Sequence, residues 1–152
     1  MSDKYSSEAC ARWGNTDAYR EHERKTKNYT KEKWAEANDG LMGIFAELAA
    51  CKNSGASADS AEAQALVAKL QAHITANYYT CTDEILAGLG KMYVADERFK
   101  KNIDKYDEGT AEFAAEGIRI YVEKKSAIFA HASHSRVAVW MHWLLEWRFC
   151  NL

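Results

Sequence analysis

The sequence predicts an all-α domain, a compact bundle of roughly five to seven helices around one core. Proline is absent from the 152 residues, which removes the commonest helix breaker. Apolar residues recur at helical spacing along the chain, and no stretch alternates with the period of a strand. With 47% hydrophobic and 28% charged residues, a chain of this length can bury a core and keep a solvated surface.

The first two predicted helices begin at capping residues. Asn15 or Thr16 caps a short helix that runs through Lys27, and Thr30 caps a second helix that ends near Gly55. The second helix carries one apolar stripe, made of Trp34, Ala37, Leu41, Ile44, Phe45 and Leu48.

The third predicted helix begins at a capping box formed by Asp59 and Glu62, and the aromatic pair Tyr78 and Tyr79 closes it. Its buried side is marked by Leu66, Leu70, His73, Ile74 and Tyr78. We expect His73 to be a core histidine with satisfied hydrogen bonds.

Three further helix starts follow. Thr82 caps a helix whose first turn holds Asp83 and Glu84, where carboxylates favour the positive end of the helix dipole. Asp96 opens the next helix, and the turn that ends at Thr110 opens the last one before the tail.

Composition and charge narrow the classes of function. The formal net charge is −2 and basic residues alternate with acidic ones, so we expect no direct binding of nucleic acid. The four cysteines lie far apart and the amino terminus lacks a signal-peptide core, so we expect the cytoplasm. The longest apolar run, Val137 to Leu145, is shorter than the ~20 residues of a membrane span.

Three strings of residues stand in the order of a known family. Residues 88–99 read Gly-Leu-Gly-Lys-Met-Tyr-Val-Ala-Asp-Glu-Arg-Phe, and they follow Trp-Gly-Asn-Thr-Asp-Ala-Tyr at 13–19 and Tyr-Thr-Lys-Glu-Lys-Trp at 29–34. The chain therefore resembles the TipAS antibiotic-recognition domain from about Tyr5 to about Tyr121. In that family the domain is the ligand-binding half of MerR-type transcription activators, and it is also made alone as a protein that sequesters peptide antibiotics.

The resemblance implies a globin-like helical arrangement with a ligand groove, and a function in binding without catalysis. The leading hypothesis is sequestration of a bulky hydrophobic peptide antibiotic, such as a thiopeptide, with no cofactor and no metal. The alternative is the effector domain of a MerR-type activator whose DNA-binding part is missing from this sequence. A second alternative is a protein-interaction module assembled through the carboxyl-terminal tail.

A groove of this kind needs broad apolar contact area and a few fixed polar groups. Together with the resemblance, that requirement selects the predicted ligand-binding residues: Trp13, Asn15, Tyr19, Tyr78, Tyr79, Cys81, Tyr93, Asp96 and Phe99. Each has a structural alternative. The aromatic residues could fill the core, Asn15 could be a helix cap without a ligand contact, and Asp96 could be a cap that pairs with Arg98.

Some members of the family trap thiopeptides through a cysteine that adds to a dehydroalanine. The position of that cysteine corresponds to Gly88 in this chain, so covalent capture is not expected there. Cys81 lies two turns earlier and is predicted to be an inert thiol or a thiol at the edge of the site. The alternative is a covalent trap, because the helix start at Thr82 could lower the pKa of the thiol.

Residues 1–125 are expected to form the antibiotic-binding domain, in which polar residues 1–30 act as a mobile lid with Trp13 as its latch. The tail, 126–152, is apolar around nearly its whole helical circumference. We expect it to be buried in the groove or against a second copy of the chain, which would give a homodimer. His131 and His134 have the spacing of two metal ligands but lack a third nearby, and we expect no metal there.

Overall fold

A computed structural model of the chain describes residues 10–11 and 14–129. The regular structure in this part is entirely helical, in six helices whose bounds are described. They are α1 (Asp17–Thr26), α2 (Lys31–Asn53), α3 (Ala61–Asn77), α4 (Asp83–Ala95), α5 (Glu97–Asp104) and α6 (Thr110–Phe129). The predicted all-α class and number of helices are confirmed. Within these residues, no helix combines the length and the apolar composition that crossing a membrane requires.

Four of the predicted caps are confirmed. Side-chain oxygens of Thr16, Thr30, Thr82 and Asp96 accept hydrogen bonds from backbone amides in the first turns of α1, α2, α4 and α5, at 3.2, 3.1, 3.3 and 2.9 Å. Each bond satisfies an amide that has no partner within its own helix. Thr16 is therefore the cap of α1.

The predicted start of α3 was wrong by one residue. Ser60, not Asp59, is the cap, because its hydroxyl oxygen accepts from the backbone amide of Ala63 at 3.2 Å. Asp59 instead accepts a hydrogen bond from the hydroxyl of Ser57 at 2.5 Å, within the connection between α2 and α3. Both residue types are good caps, so the sequence did not distinguish them.

The core lies where α4 packs on α6 and α2 packs on α3. Phe45 of α2 and Tyr93 of α4 meet edge to face at its centre, with ring centroids 5.3 Å apart. Gly90 lets α4 approach α6 closely, because a Cβ there would lie 3.0 Å from Cγ2 of Ile118. Packing between helices therefore accounts for one glycine of the residue 88–99 string.

α2 and α3 make a similarly close contact at Gly40. A Cβ on Gly40 would lie 2.5 Å from Cε1 of His73. The imidazole Nε2 of His73 donates to the backbone carbonyl of Ala37 at 2.8 Å, and Nδ1 lies 3.4 Å from the side-chain nitrogen of Asn77. The predicted hydrogen bonding of His73 is confirmed, but the side chain is only partly buried and lies at the edge of the core, where it fixes the crossing of α2 over α3.

We expect Gly40→Ala to lower the free energy of unfolding by about 1–3 kcal/mol, because the new methyl group displaces a hydrogen-bonded ring. Gly43 is the matched control, since it lies in the same helix with nothing within 4 Å of the added Cβ. Gly43→Ala should raise stability by up to about 1 kcal/mol through helix propensity alone. Urea unfolding of both variants checks the contrast, and equal effects of the two substitutions would contradict it.

Candidate functional site

Helix α1 and the connection that follows it are attached to the end of α3 by side chains. Nζ of Lys25 donates to the carbonyl of Thr75 at 2.5 Å, and the hydroxyl of Tyr29 donates to the carbonyl of Asn77 at 2.6 Å. These two carbonyls lie in the last turn of α3, where backbone acceptors lack partners in the helix. The amino-terminal segment therefore covers the end of α3.

A groove of about 470 Å³ lies between the start of α1 and the connection from α3 to α4. It is lined by Asn15, Thr16, Asp17, Ala18, Glu21, Thr80, Thr82 and Ile85. Its volume is within the ~300–1,000 Å³ range of small-molecule sites. The hydroxyl of Thr80 donates to Oε1 of Glu21 at 2.8 Å, which joins its two walls.

The connection from α3 to α4 has two faces. Thr80 and Thr82 are exposed and line the groove, whereas Tyr79 before them and Cys81 between them are buried. Extended backbone produces such an alternation, and Thr82 has extended backbone angles. One short segment thus forms both the groove wall and part of the core behind it.

Behind that wall lies a cluster of polar groups in the core, formed by Tyr78, Tyr79, Cys81 and Tyr93. The hydroxyl of Tyr78 donates to Oδ1 of Asn38 at 3.3 Å. The hydroxyls of Tyr79 and Tyr93 are buried and have no hydrogen-bond partner among the described residues. A buried hydroxyl left in this state costs about 1–3 kcal/mol.

Burial raises the pKa of three members of this cluster, Tyr79, Tyr93 and Cys81. It raises the pKa of Tyr79 and of Tyr93 well above the ordinary value, with a further contribution from the neighbouring Cys81. Burial also raises the pKa of Cys81 to about 12, with the Asp83 carboxylate adding to the rise. Because the thiolate is the nucleophile, the raised pKa and the burial of the side chain both disfavour reaction of Cys81 at neutral pH.

We expect a thiol reagent at neutral pH to modify the exposed Cys10 well before Cys81. Peptide mapping after a short exposure to iodoacetamide measures the order of reaction. Cys51 is buried as well and serves as the control for an inaccessible thiol. Alkylation of Cys81 as fast as that of Cys10 would show that the thiol is open to ligands.

Removing either unpaired hydroxyl should stabilise the fold. We expect Tyr79→Phe and Tyr93→Phe each to raise the free energy of unfolding by about 1 kcal/mol, because no partner is lost. Tyr29→Phe is the control, since it removes a hydrogen bond of 2.6 Å to Asn77. That variant should be less stable by about 1 kcal/mol. Denaturant unfolding of the three variants measures the difference, and destabilisation by all three would contradict the expectation.

The predicted ligand-binding residues occupy different environments. Asn15 lines the groove, and Tyr78, Tyr79, Cys81 and Tyr93 form the cluster behind it. Tyr19 is half-buried on α1 and packs against the core, and its pKa is raised by burial and then by hydrogen bonding to Glu23. Trp13 lies outside the described residues.

The other two predicted residues are the cap of α5 and a residue within that helix. Asp96 caps that helix, and its carboxylate pairs with Arg98 at 2.9 Å. Phe99 is fully buried in the core. For both residues the observed surroundings match the structural alternative: Asp96 is a cap that pairs with Arg98, and Phe99 fills the core.

Sequence reasoning missed most of the groove lining. Thr82 was identified only as a cap, and Thr80 and Glu21 not at all. Glu21 stands in a mixed run of charges that is typical of a solvated helix face. The one available signal was position, because Thr80 and Thr82 flank the predicted Cys81.

The fold is that of an all-helical domain with a ligand-sized groove beside helix α1. The family model of the TipAS antibiotic-recognition domain matches residues 5–121 of the sequence. The chain belongs to the TipAS antibiotic-recognition domain family. Its globin-like helical fold is that of this family.

Curated relatives place the domain within larger proteins. The chain is 40% identical over 116 residues to the HTH-type transcriptional activator TipA of Streptomyces coelicolor, covering 76% of the chain and 46% of TipA. It is 38% identical over 103 residues to the HTH-type transcriptional activator mta of Bacillus subtilis, covering 68% of the chain and 39% of mta. The matches thus span less than half the length of either relative.

A solved structure is similar over most of the chain. It is TipAS in complex with nosiheptide, described as part of a thiopeptide antibiotic multidrug resistance system from Streptomyces lividans. The TM-score is 0.75 at 36% sequence identity, covering 83% of this chain and 88% of that chain.

Proposed function

We propose that this chain binds a bulky hydrophobic peptide antibiotic of the thiopeptide class reversibly, in the groove between α1 and the connection from α3 to α4. The observation that carries the proposal is the groove itself, in a chain similar to a TipAS domain solved with nosiheptide. The role is recognition without catalysis, and its proposed location is the cytoplasm. No cofactor or metal takes part in the proposal.

The chemistry of the groove supports a large, mainly apolar ligand. Ala18 and Ile85 offer apolar surface, while the hydroxyls of Thr80 and Thr82 and the amide of Asn15 offer hydrogen bonds that fix orientation. A rigid macrocycle loses little conformational entropy on binding, so moderate contact area gives useful affinity.

The core cluster offers a second set of contacts. If the connection shifts as the ligand enters, polar groups of the ligand can pair with the hydroxyls of Tyr79 and Tyr93. Pairing would recover the ~1–3 kcal/mol that each unpaired hydroxyl costs. Tyr79→Phe and Tyr93→Phe would then weaken binding while they stabilise the free domain.

The bound antibiotic is proposed to leave without covalent attachment. Gly88 has no nucleophile, and burial holds Cys81 in the thiol form. Denaturing mass spectrometry after incubation with nosiheptide should therefore give the unmodified mass of the chain. A stable adduct on Cys81 would contradict reversible binding.

The lid assigned to residues 1–30 remains part of the proposal. Helix α1 forms one wall of the groove, and the bonds of Lys25 on α1 and of Tyr29 just after it attach this segment to the end of α3. Hydrogen exchange in Asp17–Thr26 should become slower with ligand. Equal exchange in the free and bound states would contradict a lid, as would a Trp13→Ala variant with an unchanged rate of ligand release.

A second candidate function is the effector domain of a MerR-type activator, favoured by the relatives TipA and mta, which are named transcriptional activators. In that role, ligand binding would shift a DNA-binding dimer between two states. The predicted tail assembly depends on residues 130–152, which lie outside the described part of the chain. The interaction module stays a prediction, tested by size-exclusion chromatography with and without residues 126–152.

Calorimetric titration with nosiheptide tests the proposed function. We expect one site per chain, a dissociation constant in the micromolar range or tighter, and the negative heat-capacity change of apolar burial. A panel of other thiopeptides in native mass spectrometry would rank the ligands. Failure of every macrocyclic peptide to bind at tens of micromolar would overturn the proposal.

A further inference from the structure

The groove wall is held from behind by one glutamine of α3. Nε2 of Gln71 donates to the backbone carbonyl of Cys81 at 2.9 Å and to Oδ1 of Asp83 at 2.8 Å. One turn further along α3, the hydroxyl of Thr75 accepts from the backbone amide of Cys81 at 3.1 Å. Both polar groups of the Cys81 peptide backbone are thus bonded to α3.

Helix α6 orients the amide of Gln71. Its Oε1 accepts from the hydroxyl of Tyr121 at 3.1 Å and from Nζ of Lys125 at 3.5 Å. Lys125 also pairs with the carboxylate of Asp83 at 3.0 Å. Because Oε1 faces these two donors, Nε2 must face Cys81 and Asp83.

We infer that Gln71 is a positioning residue for the groove. It lines no part of the groove itself, but it fixes the peptide between Thr80 and Thr82, the two threonines of the groove wall. Its amide joins α3, the wall and α6 in one hydrogen-bonded unit. This inference rests on the proposed function of that groove.

Pre-organised walls reduce the ordering cost of binding. Without Gln71, the connection has to order when the ligand arrives, so affinity falls although no ligand contact is removed. The fall should appear mainly as faster dissociation, because most changes within one interface alter that rate.

The chain offers a matched control on the same helix. Nε2 of Gln64 donates to the carbonyl of Ala58 at 2.9 Å and to that of Gly117 at 3.1 Å. Gln64 therefore also bonds α6 to a connection between helices, in this case the one from α2 to α3. Gln64 lies about two turns before Gln71, toward the opposite end of α3. Substituting Gln64 removes two comparable hydrogen bonds at a site remote from the groove.

The test compares Gln71→Met with Gln64→Met, each of which keeps the side-chain length and loses the amide. In calorimetry with nosiheptide, Gln71→Met should bind about 10-fold more weakly than the unsubstituted chain, whereas Gln64→Met should bind within about 2-fold of it. Both should lose similar stability in urea. If the unsubstituted chain binds nosiheptide and the two variants bind it with equal affinity, the inference is overturned.

Hydrogen exchange in the ligand-free chain separates this inference from the proposed function. Gln71→Met should accelerate exchange at the Cys81 amide, and Gln64→Met should leave it unchanged. If nosiheptide does not bind but this contrast appears, the proposed function fails and the positioning role stands. If exchange at Cys81 is the same in both variants, the positioning role is wrong whatever the ligand result.

A double-mutant cycle tests the contribution of α6. Tyr121→Phe should weaken binding by less than Gln71→Met does, because Lys125 still orients the amide. Once Gln71 is replaced by methionine, Tyr121→Phe should add little further loss. Additive losses in the double variant would show that Tyr121 acts independently of Gln71.

Discussion

Replacing Thr80 with tryptophan is expected to weaken nosiheptide binding by at least about 30-fold, or ~2 kcal/mol. Thr80 is exposed on the groove wall and faces α1 across its bond to Glu21. An indole at this position fills the groove, and it removes one hydrogen bond without creating a cavity in the core. The fold should therefore survive while the site is blocked.

Ser57→Trp is the matched control for Thr80→Trp. Ser57 is also a small, exposed hydroxyl residue in a connection, and it lies near the opposite end of α3. Its substitution should leave affinity within about 2-fold. Circular dichroism and urea unfolding of both variants establish that they are folded. Unchanged affinity in Thr80→Trp would place the ligand elsewhere on the domain.

Phe99→Ala should lower the free energy of unfolding by about 3–5 kcal/mol, the largest effect on stability that we expect. Phe99 is 0% exposed, so removing its ring leaves a cavity in the core. A loss of this size is a large fraction of the ~5–15 kcal/mol that stabilises a typical domain. Urea unfolding measures it.

Two further variants separate the core role of Phe99 from a role in ligand binding. Tyr106→Ala, at a side chain 39% exposed just beyond α5, should cost much less stability than Phe99→Ala. Phe99→Leu keeps an apolar side chain and should leave nosiheptide affinity within about 2-fold. A 10-fold loss of affinity in Phe99→Leu without loss of stability would make Phe99 a ligand contact.

Most of the fold could be predicted from local chemistry. Thr30 and Thr82 mark helix starts because their hydroxyls reach amides of the following turn, and that interaction depends only on neighbouring residues. Where Ser57, Asp59 and Ser60 offered competing polar groups within four residues, the predicted start shifted. The crossing at Gly40 depends on His73, 33 positions later in the printed sequence, and no local pattern indicates it.

The site was harder to predict, because it is made by segments that are distant in the sequence. Aromatic content indicated Tyr79 and Tyr93, and the structure places both in the core behind the groove. Nothing local shows that Glu21 and Thr80 meet, or that Gln71 holds the wall. Resemblance to the family predicted the fold and the class of function, whereas individual contacts required the tertiary structure.

The central claim is that the groove between α1 and the connection to α4 is where the antibiotic binds. Amide chemical shifts of the full chain, measured during titration with nosiheptide, test it most directly. The largest changes should fall at residues 15–21 and 80–85, with little change at 52–60, near the opposite end of α3. Saturable shifts that cluster at residues 52–60 and leave Asn15, Thr80 and Ile85 unchanged would contradict the claim.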